Sequence, residues 1–122
     1  MSFPTISFKS TNIEIGDGLK DVVNQKFESL EKYVGNETDA RCEVEFEKET
    51  AHQSGNFFRV EANLWLAGKL YRAEATEVNF ETAIDEVRNE LDKALRRAGD
   101  KQNTLMKQGG RAIKKMLRFG RL

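Results

Sequence analysis

Residues 41–75 read RCEVEFEKETAHQSGNFFRVEANLWLAGKLYRAEA, and apolar and polar side chains alternate along most of this stretch. The alternation forms three runs: RCEVEFEKE, FFRVEANLWL and LYRAEA. A period of two predicts strands that each bury one face. The polar segment TAHQSGN separates the first two runs, and Ala67-Gly68-Lys69 closes a short hairpin between the last two. Three strands in succession argue against a purely parallel sheet.

The segments that flank these strands change to a helical period. In residues 17–34, apolar side chains recur at spacings of three and four, and Gly35 follows at the position of a helix C-cap. The same pattern spans residues 79–98, where Asn79 is the predicted N-cap and Gly99 the predicted stop. Two amphipathic helices are therefore predicted.

A first strand is predicted in TISFKSTNIEI, residues 5–15, which completes the order strand, helix, three strands, helix. One apolar sheet face and two apolar helix faces pair as an α+β, two-layer βαβββα sandwich. In this fold two helices pack on one face of a four-stranded sheet. The 122 residues suffice for one domain. We predict that domain over residues 1–100 and a basic tail over residues 101–122.

The formal net charge is zero, but its distribution is uneven because Asp100 is the last acidic residue. Residues 1–100 hold 13 Lys and Arg against 20 Asp and Glu, whereas residues 101–122 hold seven bases and no acid. Segregation of this kind indicates a polyanionic partner, either nucleic acid or an anionic membrane surface. The tail lacks the apolar content to fold alone, so we expect it to be flexible when free and to order on binding.

Residue types that carry catalysis are few. The single Cys42 shares the apolar strand face, and the lone His52 falls in a polar turn, so no nucleophile and base are expected together. Four glutamates follow one another along a strand at about 7 Å spacing and do not converge on an ion: Glu43, Glu45, Glu47 and Glu49. We interpret them as a solvated sheet face. We therefore do not expect an enzyme, and we expect no cofactor, metal or small-molecule substrate. A metal-dependent activity that is lost when Glu45 and Glu47 are replaced would instead support an enzyme that uses the acidic face.

The sequence also favours a cytoplasmic protein. Its start, MSFPTISFKS, lacks the basic and apolar segments of a secretory signal. No apolar run approaches the roughly 20 residues of a membrane span. A single cysteine agrees with a reducing compartment.

Over residues 6–101 the chain resembles the bacterial ribosome hibernation promoting factors, a family that includes the ribosome-associated inhibitors of stationary phase. The resemblance is carried by IEIGDGLKDVVNQKFESLEKYV (13–34), by AEATEVNFETAIDEVRNELDKALRRAGDK (73–101) and by the order of elements. It implies a protein that contacts rRNA in the decoding region of the small ribosomal subunit, blocks the tRNA and mRNA sites, and thereby inhibits translation and protects idle ribosomes. Ribosomal proteins are further implied partners. The resemblance is to the short form, which lacks the C-terminal dimerisation domain, and we expect a monomer when free.

In this family, bases of both helices face rRNA. The resemblance carries that role to five positions: Lys26, Lys32, Lys93, Arg97 and Lys101. We add, as candidate rRNA contacts, Arg96 on the second helix and seven positions in the tail: Lys107, Arg111, Lys114, Lys115, Arg118, Phe119 and Arg121. Phe119 is the one that would stack on a base. The alternative is a general RNA-binding or peripheral membrane-binding module that uses the same tail.

Overall fold

A computed structural model of the chain describes residues 3–51 and 55–107. Within these ranges the strands are β1 (Ile6–Thr11), β2 (Arg41–Ala51), β3 (Gly55–Leu66) and β4 (Lys69–Glu77). The helices are α1 (Asp17–Phe27), α2 (Glu31–Val34) and α3 (Phe80–Lys107), and a 3₁₀ turn, Glu28–Leu30, joins α1 to α2. The element order confirms the α+β prediction. In the described part of the chain, no helix is both long and apolar enough to cross a membrane.

The sheet is mixed and has the strand order β1-β2-β3-β4. Strand β1 pairs parallel to β2 after the crossover through α1 and α2, while β2, β3 and β4 form an antiparallel meander. Ala67 and Gly68 both have positive φ, 52° and 78°, which is the requirement of a two-residue type I′ hairpin turn. The predicted hairpin is therefore confirmed.

The core lies between one sheet face and the helices, as the alternation predicts. Cys42, Val44 and Phe46 of β2 are buried there. The other fully buried large side chains come from β3, from α1 and the 3₁₀ turn that follows it, and from α3: Val60, Leu64, Val23, Phe27, Leu30, Ile84, Val87 and Leu91. Burial raises the pKa of the Cys42 thiol to about 12, so the thiol is neutral and acts as a small apolar core residue.

The ends of the helices follow local capping rules at two of three predicted positions. The Thr82 backbone N–H donates to Asn79 Oδ1 at 2.8 Å, which confirms the N-cap of α3. Gly35 ends α2 with φ +59°, a conformation that a side chain would strain. The prediction that Gly99 stops the second helix is wrong, because α3 continues through Lys107.

The difference between Gly35 and Gly99 explains that error. A glycine ends a helix when it adopts positive φ, and Gly99 is not among the glycines with positive φ in the described residues. A glycine with helical geometry only weakens a helix, by about 1 kcal/mol relative to alanine. The next residues, KQNTLMK, are mostly good helix formers and extend α3 over the first seven positions of the predicted tail. Residues 108–122 lie outside the described residues.

Candidate nucleic-acid interface

The two helical segments are connected by side-chain hydrogen bonds that all join residues 59 positions apart. The pairs are Lys26 Nζ to Asp85 Oδ1 at 2.6 Å, Arg88 Nε to Ser29 Oγ at 2.9 Å, and Tyr33 OH to Asp92 Oδ1 at 2.8 Å. A constant separation in sequence means that the segments run side by side in the same direction. The C-terminal end of α2 consequently lies beside residues 92–97 of α3, at one end of the domain body, and the bases of both segments meet there.

Four of the predicted rRNA contacts lie at this shared end, and all four are exposed: Lys32, Lys93, Arg96 and Arg97. The Lys32 ammonium lies 5.3 Å from the centre of the Tyr33 ring. Arg96 pairs with Asp92 one helical turn before it. The helix dipole favours a cation in the last turn of α2, where Lys32 lies, and this adds to whatever an anionic partner provides.

A hydrogen bond from Tyr33 to Asp92 joins the two helical segments, and Asp92 also pairs with Arg96 of its own helix. The hydrogen bond that Tyr33 donates lowers the pKa of the Asp92 carboxyl, and the nearby Arg96 lowers it further. Asp92 is itself buried, so its charge is compensated by these two partners. Arg96 is thereby committed in part to the seam between the helices.

The remaining predicted contacts are distributed differently. Lys26 lies about 9 Å further back along the helix axis, six residues before Lys32, and its ammonium is paired with Asp85. Lys101 and Lys107 lie on the part of α3 beyond Gly99. The predicted contacts Arg111, Lys114, Lys115, Arg118, Phe119 and Arg121 lie outside the described residues.

Sequence reasoning missed three further bases at the same end. Arg41 begins β2 and stacks on Trp65, with its guanidinium carbon 4.3 Å from the ring centre. Lys69 begins β4, and its ammonium lies 5.1 Å from the centre of the Tyr71 ring. Arg72 follows one residue after Tyr71. The alternating pattern placed each residue on a strand, but the register that brings Arg41 opposite Trp65 is a tertiary property.

One groove shows that the β3–β4 hairpin and the helical segments meet in the same region. It has a volume of about 360 Å³ and is lined by Tyr33 of the α2 end, by Leu66, Ala67 and Tyr71 of the hairpin, and by Leu95, Ala98 and Gly99 of α3. Its lining also includes one carboxylate, Glu37. We call this region the basic end and define it by its exposed bases: Lys32, Arg41, Lys69, Arg72, Lys93, Arg96 and Arg97.

The open sheet face, opposite the helices, carries most of the strand acids. Glu45, Glu61 and Glu74 lie directly opposite one another across β2, β3 and β4. Arg59 compensates two members of this row, since its guanidinium pairs with Glu61 and Glu74, and it also lies 3.4 Å from Glu47. Glu45 accepts a hydrogen bond from Thr11 Oγ1 at 3.0 Å. The charges of this face are thus largely satisfied within it. In the ranges that the structure describes, no group of His, Cys, Asp and Glu is arranged to hold a metal ion.

The sequence model of one family, described as Sigma 54 modulation protein / S30EA ribosomal protein, matches residues 6–103. The chain belongs to this family. The resemblance inferred from the sequence is thereby confirmed.

Two curated proteins similar to this S30EA-family chain are both named ribosome hibernation promotion factor. The one from Deinococcus radiodurans is 29% identical over 86 residues, which are 70% of this chain and 44% of the relative. The one from Bacillus subtilis is 27% identical over 104 residues, which are 85% of this chain and 53% of the relative. The chain therefore spans about half the length of these relatives.

Two solved structures share the fold. The N-terminal domain of Protein Y from Thermus thermophilus aligns with a TM-score of 0.58 at 24% identity, over 78% of this chain and 97% of that domain. A ribosomal subunit interface protein from Coxiella burnetii aligns with a TM-score of 0.63 at 15% identity, over 78% and 97%. Both alignments support the two-layer arrangement of this S30EA-family chain.

Proposed function

We propose that this chain is a ribosome hibernation factor. It binds rRNA in the decoding region of the small ribosomal subunit, occupies the space of mRNA and tRNA, and so inhibits translation and protects idle ribosomes. It acts by occupancy, without turnover, in the cytoplasm and as a monomer when free. The family, the names of the two curated relatives and the basic end support this proposal together.

The observation that carries the proposal is the convergence of helix bases at one end of the molecule. Because the helices run in parallel, Lys32 of one and Lys93 and Arg97 of the other reach the same region instead of opposite ends. Lys93 and Arg97 have no carboxylate within salt-bridge distance among the described residues. Exposed, uncompensated cations are the surface that phosphate groups favour.

The extension of α3 lengthens this surface. On a period of 3.6 residues, positions 93, 96, 97, 101 and 107 fall within an arc of about 140° on one side of the helix. Positions 84, 87, 91 and 95, which are buried, fall on the opposite side. The helix continues about 12 Å beyond Gly99 at 1.5 Å per residue. One helix, α3, therefore carries positions with basic residues from the body of the domain to residue 107.

The test is binding to purified small ribosomal subunits, followed by translation in a reconstituted system. The double variant Lys93→Glu/Arg97→Glu should bind at least about tenfold more weakly and should no longer inhibit, because two phosphate contacts become repulsive. The control is Lys9→Glu/Lys20→Glu, which reverses one base of β1 and one of α1, neither of them part of the basic end, and should behave as the unchanged chain.

Three results would contradict the proposal. They are the absence of binding by the unchanged chain, binding without inhibition, and equal effects of the two double variants. Flotation with anionic vesicles at physiological salt, in place of sedimentation with subunits, would favour a peripheral membrane module.

A further inference from the structure

A second groove lies on the other side of α3, between this helix and strand β4. It has a volume of about 360 Å³ and is lined by residues 69–72 of β4 and by Ala94, Arg97 and Ala98 of α3. This volume is in the range of small-ligand sites, about 300 to 1,000 Å³. Strand β4 is an edge strand, so the backbone groups along its outer side have no partner strand in the described sheet.

The charges that line this groove are all positive: Lys69, Arg72 and Arg97. Arg72 is anchored, with one guanidinium nitrogen 3.0 Å from Glu61, yet its side chain remains 58% exposed. In the described ranges, Lys69 and Arg97 have no carboxylate within 4 Å. Cations that face one cleft without a counter-charge raise the positive potential there and favour an anion.

The uncharged part of the lining is apolar and flat. Ala94 and Ala98 are one helical turn apart and present only methyl groups. Opposite them lies the half-buried Tyr71 ring, which is on the helix-covered face of β4 because it pairs with the buried Leu64. Leu70, the next residue of the lining, is 46% exposed, and its side chain projects from the open face. An aromatic ring beside small residues leaves room for a planar group to stack.

We propose that this groove binds a single nucleotide, with its phosphate between Lys69 and Arg97 and its base against Tyr71 and the methyl groups of Ala94 and Ala98. The nucleotide is either an unpaired residue of an RNA strand or a free nucleotide, since both present the same phosphate and base. A concave cleft of this size fits a base that is splayed out of a strand better than it fits a stacked duplex. The RNA-strand source rests on the proposed function, whereas a free nucleotide would bind independently of it.

The experiment is a titration of the isotopically labelled full chain, followed by NMR. The added probes are a short single-stranded RNA oligonucleotide, adenosine monophosphate and inorganic phosphate. The proposal expects saturable shifts of the Leu70, Tyr71, Ala94 and Ala98 amides with the oligonucleotide. Comparable shifts with adenosine monophosphate would identify a free nucleotide as a ligand, and shifts with the oligonucleotide alone would identify an RNA strand. Shifts elsewhere only, or none, would overturn the proposal.

Variants make the test specific. Lys69→Ala and Arg97→Gln should each weaken oligonucleotide binding about fivefold and reduce the log-log salt slope by about 0.7, the value for one phosphate of a single strand. Lys69→Arg should restore binding, and Lys9→Ala, which removes an exposed base on the other side of the sheet, should have no effect. Equal binding by Lys69→Ala and Lys9→Ala would overturn the proposal.

Small-subunit binding of the same proteins separates this inference from the proposed function. If the chain bound subunits but its groove bound neither the oligonucleotide nor the mononucleotide, the nucleotide-binding proposal would be wrong and the proposed function would stand. If the groove bound either probe but the chain did not bind subunits, the proposed function would be wrong and the nucleotide-binding proposal would stand.

Discussion

The open sheet face and the basic end are both densely charged, but they differ in how far those charges are compensated by neighbouring side chains. On the open sheet face, Arg59 joins three carboxylates from three strands, and Arg72 and Asn63 complete the partners of Glu61. At the basic end, Lys93 and Arg97 have no such partners among the described residues. Charge density alone therefore does not identify a binding surface; the lack of internal compensation does.

The contrast predicts that changes at the two regions affect different measurements. Loss of bases at the basic end and in the tail should change binding and leave stability nearly unaltered. Loss of a charge on the open sheet face should do the reverse, because its neighbours depend on it.

The largest effect is expected from removing the tail. A chain that ends after Asp100 loses seven bases, and a chain that ends after Lys107 loses five. At about 0.7 to 0.9 per phosphate contact, the log-log salt slope of subunit binding should fall by about 5 to 6 in the first and about 3.5 to 4.5 in the second. Seven contacts correspond to a change of about 10³ to 10⁴ in affinity between roughly 50 and 200 mM salt.

The two truncations also separate the helical extension from the residues beyond it. If Lys101 and Lys107 contact RNA from the extended α3, the slopes of the two truncated chains should differ. The same slope for both would assign the phosphate contacts to residues 108–122. An unchanged slope in both would remove the tail from the interface.

The next largest effect is expected at Arg59. In Arg59→Met, three glutamates lose the cation that they share: Glu47, Glu61 and Glu74. Glu61, only 8% exposed, keeps Arg72 and Asn63 as partners. Removing one partner of a buried ion pair costs about 3 to 5 kcal/mol, and the remaining partners of Glu61 offset part of this cost. The free energy of unfolding in urea should therefore fall by about 2 kcal/mol.

Two further variants test this reason for the loss. Arg59→Met/Glu61→Leu should recover most of the stability, because both charges are then removed together. Arg72→Met, at a far more exposed base, should cost less than about 1 kcal/mol. If Arg59→Met folded as stably as the unchanged chain, the open sheet face would not be internally compensated, and the contrast with the basic end would fail.

A smaller effect is expected where α3 leaves the body of the domain. A Cβ on Gly99 would meet nothing within 4 Å, and Gly99 has no positive φ. Gly99→Ala should therefore stabilise the chain by up to about 1 kcal/mol, measured by thermal or urea unfolding. A loss of similar size would show that Gly99 caps the helix after all. Gly35→Ala, at φ +59°, is the matched control and should destabilise.

Gly99 also marks how far sequence reasoning reaches. Strands, helices and their buried faces followed from local periodicity, because the side-chain period alone specifies which face is apolar. The C-terminal end of α3 did not follow from the sequence pattern, because a glycine permits positive φ without requiring it. Arg41, Lys69 and Arg72 were missed for a related reason: their proximity to the helix ends depends on strand register and on the parallel course of α1 and α3, neither of which a local pattern encodes. The sequence signal that could have found these bases is the pair of aromatic residues Trp65 and Tyr71, which contact Arg41 and Lys69 in the fold.

The smallest effect concerns pH, where the two regions should respond alike. Burial alone would raise the pKa of Glu61, but hydrogen bonds from Arg59 and Asn63 lower it below its usual 4.5. The hydrogen bond from Tyr33 lowers the pKa of Asp92 below its usual 3.8. A carboxyl with a lowered pKa in the folded state contributes stability that is complete above its unfolded pKa and is lost as the pH falls through the folded value. Unfolding measured from pH 6 downward should therefore show stability declining below about pH 4.5.

Tyr33→Phe separates the two carboxyls because it removes the donor to Asp92 and leaves Glu61 untouched. The variant should lose part of the acid dependence, with the remainder assigned to Glu61 and its partners, and Arg59→Met/Glu61→Leu should lose the complementary part. Subunit binding at pH 7 should be retained by both, since neither variant removes an exposed base of the basic end. An acid profile that neither variant alters would place the titrating groups elsewhere. In that case, charge compensation at Glu61 and Asp92 would no longer account for the acid sensitivity of either region.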